Sequence, residues 1–306
     1  MTTQKPFASF DDQINRMKNR GLILPDDGTV EQFLKRNSYY RFSGYMRYFQ
    51  LAPGKGDENF RQGTKWEDIV TIYELDVSLR SYLLAGLQIA EIATRTAFAH
   101  CEAENHSPYG HYLNKNSYVE PKRSNKKPKR SKQISTEKII RSELDRSKEP
   151  FIKRYRPQNT NGTQWMDNVP VWAAVEVLSF GTLSKAIAYQ NDDQGLYKAM
   201  CSILGVKKEH LAPQLRSFTH ARNRCAHFSR IWNCFIQNQP KVSSSVKKRA
   251  IKLVGEYNDN SMLSILVALD DFLFKTNAKT NFLEGYIELT ADSRLFQKGI
   301  AKPYKK

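Results

Sequence analysis

The alternation of apolar and polar positions along this chain is helical almost throughout. Between Leu215 and Trp232, the residues Phe218, Ala221, Cys225, Phe228 and Trp232 recur at steps of three and four, the spacing of one helix face. That stripe is expected to meet the core. At about 100° per residue, His227 falls half a turn round from Phe218 and shares its outward side with Asn223. The longest pattern covers 66–102, where Ile69, Ile72, Leu79, Leu83, Leu87 and Phe98 recur at mixed steps. It is apolar on more than one side, which predicts the central helix of a bundle with the 215–232 helix packed against it.

Shorter helices are predicted over 11–20, 29–36, 135–156, 171–180, 183–189, 196–204, 245–257, 261–275 and 281–289. Thr29 and Ser261 are read as N-caps, and Gly181 as a helix stop. The segments 51–64 and 157–170 carry turn residues and read as loops, and no β hairpin is convincing. The expectation is an all-α protein with a small N-terminal helical and aromatic lobe over 1–64 and a larger bundle over 65–297. A basic loop at about 107–135 interrupts the bundle, and a basic, fraying tail occupies 298–306.

Charge sharpens this picture. The 306 residues carry 48 Lys and Arg against 31 Asp and Glu, a formal net charge of +17. Such a surface attracts phosphate polymers. Lys122, Arg123, Lys126, Lys127, Lys129, Arg130 and Lys132 fall in one acid-free run that lacks the apolar residues to fold on itself, so an exposed, mobile loop contacting RNA phosphates is expected. Arg36 and Arg41 alternate with Tyr39 and Tyr40 in an aromatic stretch that also holds Phe42, Tyr45, Tyr48 and Phe49. Rings interleaved with guanidinium groups can stack bases while holding phosphates, although most of these rings are expected to pack the lobe against the bundle.

No apolar run approaches the roughly 18 residues of a membrane span, and residues 1–6 lack a signal peptide's apolar region, so a cytoplasmic protein off the membrane is expected. Cys101, Cys201, Cys225 and Cys234 have no C-x-x-C spacing and read as reduced, mostly buried thiols. With His227 they cluster too loosely for zinc. Neither metal nor cofactor is expected.

The candidate chemistry lies in Arg222, Asn223 and His227. Here one group titrates near neutrality, a planar cation stands beside it, and an amide can orient either. Those parts suit phosphodiester cleavage, with His227 transferring protons and Arg222 offsetting charge on the phosphate. Two acid-before-base pairs on the long helix, Asp76 with Arg80 and Glu91 with Arg95, read as helix-stabilising. Glu91 and Arg95 are also candidates to orient His227. Arg95 and His100 repeat the R-x4-H spacing, but Thr96 stands where an amide or acid belongs, and His100 reads as structural.

Arg222-Asn223-x-x-x-His227 resembles the signature of HEPN ribonucleases. The run from Asn37 to Tyr45, then Tyr73-Glu74-Leu75-Asp76 and Glu91-Ile92-Ala93-Thr94-Arg95-Thr96, resembles the Abi family of bacterial abortive-infection proteins, of the AbiD and AbiF type. The resemblance implies a HEPN-type bundle and a metal-independent, toxin-like endoribonuclease used against phage. It also implies a homodimer that pairs two motifs in one composite site, restrained by a small structured non-coding RNA. A non-catalytic RNA-binding scaffold is the alternative, and DNA binding fits the charge equally well.

Overall fold

A helix of 40 residues organises the molecule, with nearly every other element packed on it or on its neighbours. The structure, a computed structural model, describes residues 6–121, 134–157, 162–278 and 281–304. Among these the chain is all-α apart from one two-stranded sheet. In order, the elements are α1 (Phe10–Asn19), α2 (Asp27–Asn37), α3 (Tyr39–Met46), β1 (Gln50–Ala52), β2 (Asp57–Phe60), α4 (Trp66–Asn105), α5 (Thr136–Arg146) and α6 (Pro150–Lys153). There follow α7 (Val171–Val177), α8 (Phe180–Ala188), α9 (Gly195–Ile203), α10 (Lys208–Ala226), α11 (Ser244–Val254), α12 (Met262–Lys275), α13 (Phe282–Thr290) and α14 (Arg294–Ala301). Helix α4 is flanked by α7, α9, α10, α12 and α13, with α3 against its first half. Leu79, Leu83, Leu87, Ala90 and Phe98 are fully buried on it, so the mixed apolar periodicity does mark the centre of the bundle. No helix among the described residues is long and apolar enough to cross a membrane.

Several boundaries differ from the sequence-based expectation, each for a local physical reason. Asp26, not Thr29, caps α2, accepting from the Thr29 amide at 2.8 Å and from its hydroxyl at 2.6 Å. Within the expected loop 51–64, β1 and β2 pair as an antiparallel hairpin whose turn needs Gly56 at φ +90°. Gly181 does not stop a helix: the break falls at Leu178, and Ser179 caps the next helix by accepting from the Thr182 amide. The expected 135–156 helix divides into α5 and α6 at Ser147, ahead of Pro150. Residues 107–121 are not a loose loop, because they form two short 3-10 turns and bury Tyr112, Leu113 and Tyr118.

The 298–306 stretch does not fray from its start. Lys298 to Ala301 complete α14, where Phe296 and Ile300 are buried, and the Tyr304 amide donates to Asn233 Oδ1 at 2.7 Å. Gly299 lets α14 close on Trp232, since a Cβ there would lie 2.2 Å from the indole nitrogen.

The aromatic stretch divides as its burial dictates. Phe42, Tyr45 and Phe49 are core, and Phe42 meets Phe33 and Trp66 at 4.9 and 4.7 Å. The two acid-base pairs of α4 are also not surface pairs. Asp76 is fully buried, ion-paired to Arg80, and accepts from the Tyr45 hydroxyl and from the amides of Ile231 at 3.2 Å and Trp232 at 2.6 Å. Burial raises the carboxyl's affinity for protons, against the pull of Arg80, the Tyr45 hydroxyl and the two amides.

Removing this carboxylate strands the Arg80 charge, the Tyr45 hydroxyl and two amides in the interior. Asp76→Ala is expected to cost about 3–5 kcal/mol in guanidinium unfolding, while the exposed neighbour Glu74→Ala changes stability by less than about 0.5 kcal/mol.

Candidate functional site

Helix α10 carries the Arg222–His227 segment and packs against α4 and α8. Its buried stripe is Leu211, Leu215, Phe218, Ala221 and Cys225, and burial pushes the Cys225 thiol up to about 12. The helix begins at Lys208 with Pro213 inside its second turn, rather than after that proline. It ends one residue before His227, so the predicted continuation to Trp232 is wrong.

The hydrogen bonds at this end explain the stop. The Phe228 amide donates to the Cys225 carbonyl at 3.0 Å and the Ser229 amide to the Arg224 carbonyl at 2.8 Å, the two bonds of a Schellman closure. The position that usually carries glycine is Phe228, at φ +55° and 66% exposed. Phe228 therefore does not belong to the buried stripe. Trp232 is buried, but by way of the turn that Asp76 anchors.

This left-handed turn is held from outside. Arg41 on α3 donates to the Phe228 carbonyl, Arg224 to the Arg230 carbonyl, and Arg230 to the Gly44 carbonyl and to the Tyr48 hydroxyl. Arg41, expected to meet RNA, is thus engaged in the fold while its residue stays exposed. Tyr40 is 89% exposed, Arg36 is exposed and Tyr39 is half-buried. Lys122, Arg123, Lys126, Lys127, Lys129, Arg130 and Lys132 lie outside the described residues.

Asn223 and His227 are exposed, Arg222 is half-buried, and the His227 amide donates to the Asn223 carbonyl at 3.0 Å. Among the described residues the Arg222 guanidinium makes no hydrogen bond to the imidazole. Its Nε lies 3.4 Å from Glu91 Oε2, and Nη1 donates to Asn223 Oδ1 at 3.4 Å. Glu91 is buried and its other oxygen pairs with Arg95, which also donates to the carbonyls of Val175 and Leu178. Glu91 and Arg95 therefore position Arg222, not His227 as expected. The R-x4-H repeat is split: Arg95 is turned inward, while His100 is exposed rather than structural.

Arg95 and Arg222 line a groove of about 760 Å³ whose other walls include Glu143, Arg146, Lys148 and Ser179. Glu143 accepts from the Ser179 amide and hydroxyl and from the Thr182 hydroxyl, fixing that wall to the start of α8. His227 does not line this groove; it stands beyond it, at the end of α10. Nothing in the spacing of Glu143, Arg146 and Lys148 marked them as neighbours of Arg222.

A second polar cluster escaped sequence reasoning. At the far end of α4, Glu102, His106 and His111 converge, with Asp192 behind His106. Burial pushes the Glu102 carboxyl up to about 7 and holds the His111 imidazole below its usual range. The Glu102–His106 spacing of four was visible, but Asp192 lies 86 residues away from His106.

A family model described as Abi-like protein matches residues 32–233. No curated protein and no solved structure matches the chain. The matched region runs from α2 to the turn held by Asp76, and so takes in Glu91, Arg95, Arg222 and His227.

The contrast between buried and exposed members can be measured as stability. Glu91→Ala is expected to cost about 2–3 kcal/mol, below a fully broken buried pair because Arg95 keeps two carbonyl partners. His227→Ala is expected to change stability by less than about 0.5 kcal/mol in the same guanidinium titration.

Proposed function

The chain belongs to the Abi-like protein family, a family of abortive-infection proteins, and from that premise we propose that it is a metal-independent endoribonuclease. RNA carries its own nucleophile, the 2′-hydroxyl, so the protein needs to activate it, offset the charge on the pentacoordinate phosphate and protonate the leaving 5′-oxygen. His227 transfers the protons. Arg222 holds the phosphate, and Asn223 orients Arg222 through the bond to its Nη1. The products are a 2′,3′-cyclic phosphate and a 5′-hydroxyl.

The observation that carries this reading is the division of labour around Arg222. A buried carboxylate fixes one side of the guanidinium while the cation remains half-exposed at a groove, and the exposed His227 serves no packing role. A structural arginine has no need of such an opening. Phe228, next in sequence to His227, exposed and held in a left-handed backbone conformation, offers a ring on which a base can stack. One imidazole per chain leaves one proton transfer unfilled, which a second chain supplies in a homodimer. The basic run at 122–132 contacts the RNA backbone, and a structured non-coding RNA bound there restrains the enzyme in the cytoplasm.

The position of His227 outside the groove favours a second reading, an RNA-binding scaffold without catalysis. Digestion of total RNA in EDTA separates the two. Wild type is expected to leave cyclic-phosphate ends, His227→Ala to cleave at least about a hundredfold more slowly with RNA affinity retained, and Arg222→Lys not to restore Arg222→Ala. A scaffold gives no cleavage that depends on His227.

Binding is expected to be strongly salt-dependent. Glutamine at the seven cations of the 122–132 run should flatten the slope of log affinity against log salt by about 0.7 for each lost contact to single-stranded RNA.

A further inference from the structure

Eleven residues beyond Glu91 along α4, about 16 Å at the helical rise, the Glu102 side chain is completely buried. Among the described residues no lysine or arginine pairs with it. Its Oε1 lies 2.6 Å from His111 Nδ1, and Oε2 accepts from Gln190 Nε2 at 2.8 Å. A buried carboxylate without a permanent cation is costly unless something supplies positive charge.

The backbone assembles two imidazoles at this carboxylate. His106 caps the end of α4 one turn after Glu102, and the chain then reverses through Gly110 at φ +73° to bring His111 back over it. The two rings stack with centroids 4.0 Å apart. One ligating atom from each of Glu102, His106 and His111 lies within 4.8 Å of the other two. Behind His106, Asp192 Oδ2 lies 3.2 Å from Nε2 and accepts from the Leu196 amide at 2.6 Å.

Asp192 adds negative charge that no lysine or arginine among the described residues offsets. Its side chain is only 7% exposed, yet Oδ1 is buried and accepts no hydrogen bond among the described residues. The Gln190 side-chain oxygen, next to Glu102, is buried and unpartnered in the same way. Hydrogen bonding inside the cluster therefore leaves negative and acceptor capacity unused.

We propose that Glu102, His106 and His111 bind one divalent cation of the zinc class, with Asp192 holding His106 in orientation from outside the ligand set. Two imidazoles and one carboxylate with a remaining position match the ligand types and number such a cation takes. The cation displaces the proton held between His111 Nδ1 and Glu102 Oε1, which is released to the solvent buffer. That contact opens to about 3.3 Å, the separation of two ligand atoms bonded at about 2.0–2.1 Å in tetrahedral geometry. The site lies apart from Arg222 and His227 and clasps the end of α4 to the 111–118 turns and, through the Tyr118–Gln190 bridge, to the segment after α8. It therefore neither requires nor replaces the ribonuclease reading.

The test is calorimetric titration of zinc chloride into the full chain, stripped with EDTA and desalted. One equivalent per chain is expected, weakened about tenfold in Asp192→Asn and abolished in the His106→Gln, His111→Gln double variant. Absence of uptake by wild type, or full uptake by the double variant, overturns the site. If the double variant fails to fold, cobalt loading of wild type decides: intense tetrahedral visible bands without a thiolate charge-transfer band support the assignment. A weak octahedral spectrum or a thiolate band refutes it. Cleavage by wild type in EDTA, below its melting temperature, reports separately on His227.

Discussion

The interaction on which this structure depends is the buried carboxylate of Asp76. It receives a phenolic hydroxyl from α3, a guanidinium from its own helix and two backbone amides from the turn after α10. Taking a carboxylate out of water is expensive, and only a nearly complete set of donors, one of them charged, offsets that cost. Three parts of the chain are thereby held at one point, the most remote of them 156 residues from Asp76. The segment that follows the Arg222–His227 motif has no helix or sheet of its own to define its path, so this carboxylate sets where it goes.

From that anchor the site can be read outward. With Ile231 and Trp232 fixed to Asp76, the chain between Ala226 and Arg230 has to leave α10 through a sharp left-handed turn. The strain of Phe228 in that turn, of order 1–2 kcal/mol, is met by arginines from both sides. The end of α10 is thus held in one conformation while His227 and Phe228 remain exposed. Glu91 does for Arg222 what Asp76 does for the turn, with the difference that its cation stays half in solvent. Helix α4 provides both carboxylates, four turns apart on one rigid element, and so fixes Arg222 relative to the turn that carries the imidazole.

Much of this was legible in the chain itself. The all-α class, the central helix and its packing against the motif helix follow from apolar periodicity, which depends on local spacing alone. The outward direction of Asn223 followed from the same geometry. The end of α10 did not, because Phe228 and Trp232 continue the helical spacing although neither is held by it. A phenylalanine at a position that favours glycine carries no warning in its sequence. The i,i+4 pairs of α4 were recognised as pairs but not as buried ones, since their burial comes from Tyr45, Trp232, Val175 and Leu178, all remote in sequence. The groove walls and the Glu102 cluster were hidden for the same reason.

The most direct measurement of the proposed chemistry concerns the nucleophile. An RNA oligonucleotide spanning a mapped cleavage site is compared with the same strand carrying a single 2′-deoxy sugar at the cut. Activation of the 2′-hydroxyl by His227 predicts that the all-ribose strand is cut to 2′,3′-cyclic phosphate and 5′-hydroxyl ends, whereas the deoxy-substituted strand binds equally well and stays intact. Cleavage of the deoxy-substituted strand at the same site, or 5′-phosphate ends on the RNA products, contradicts it.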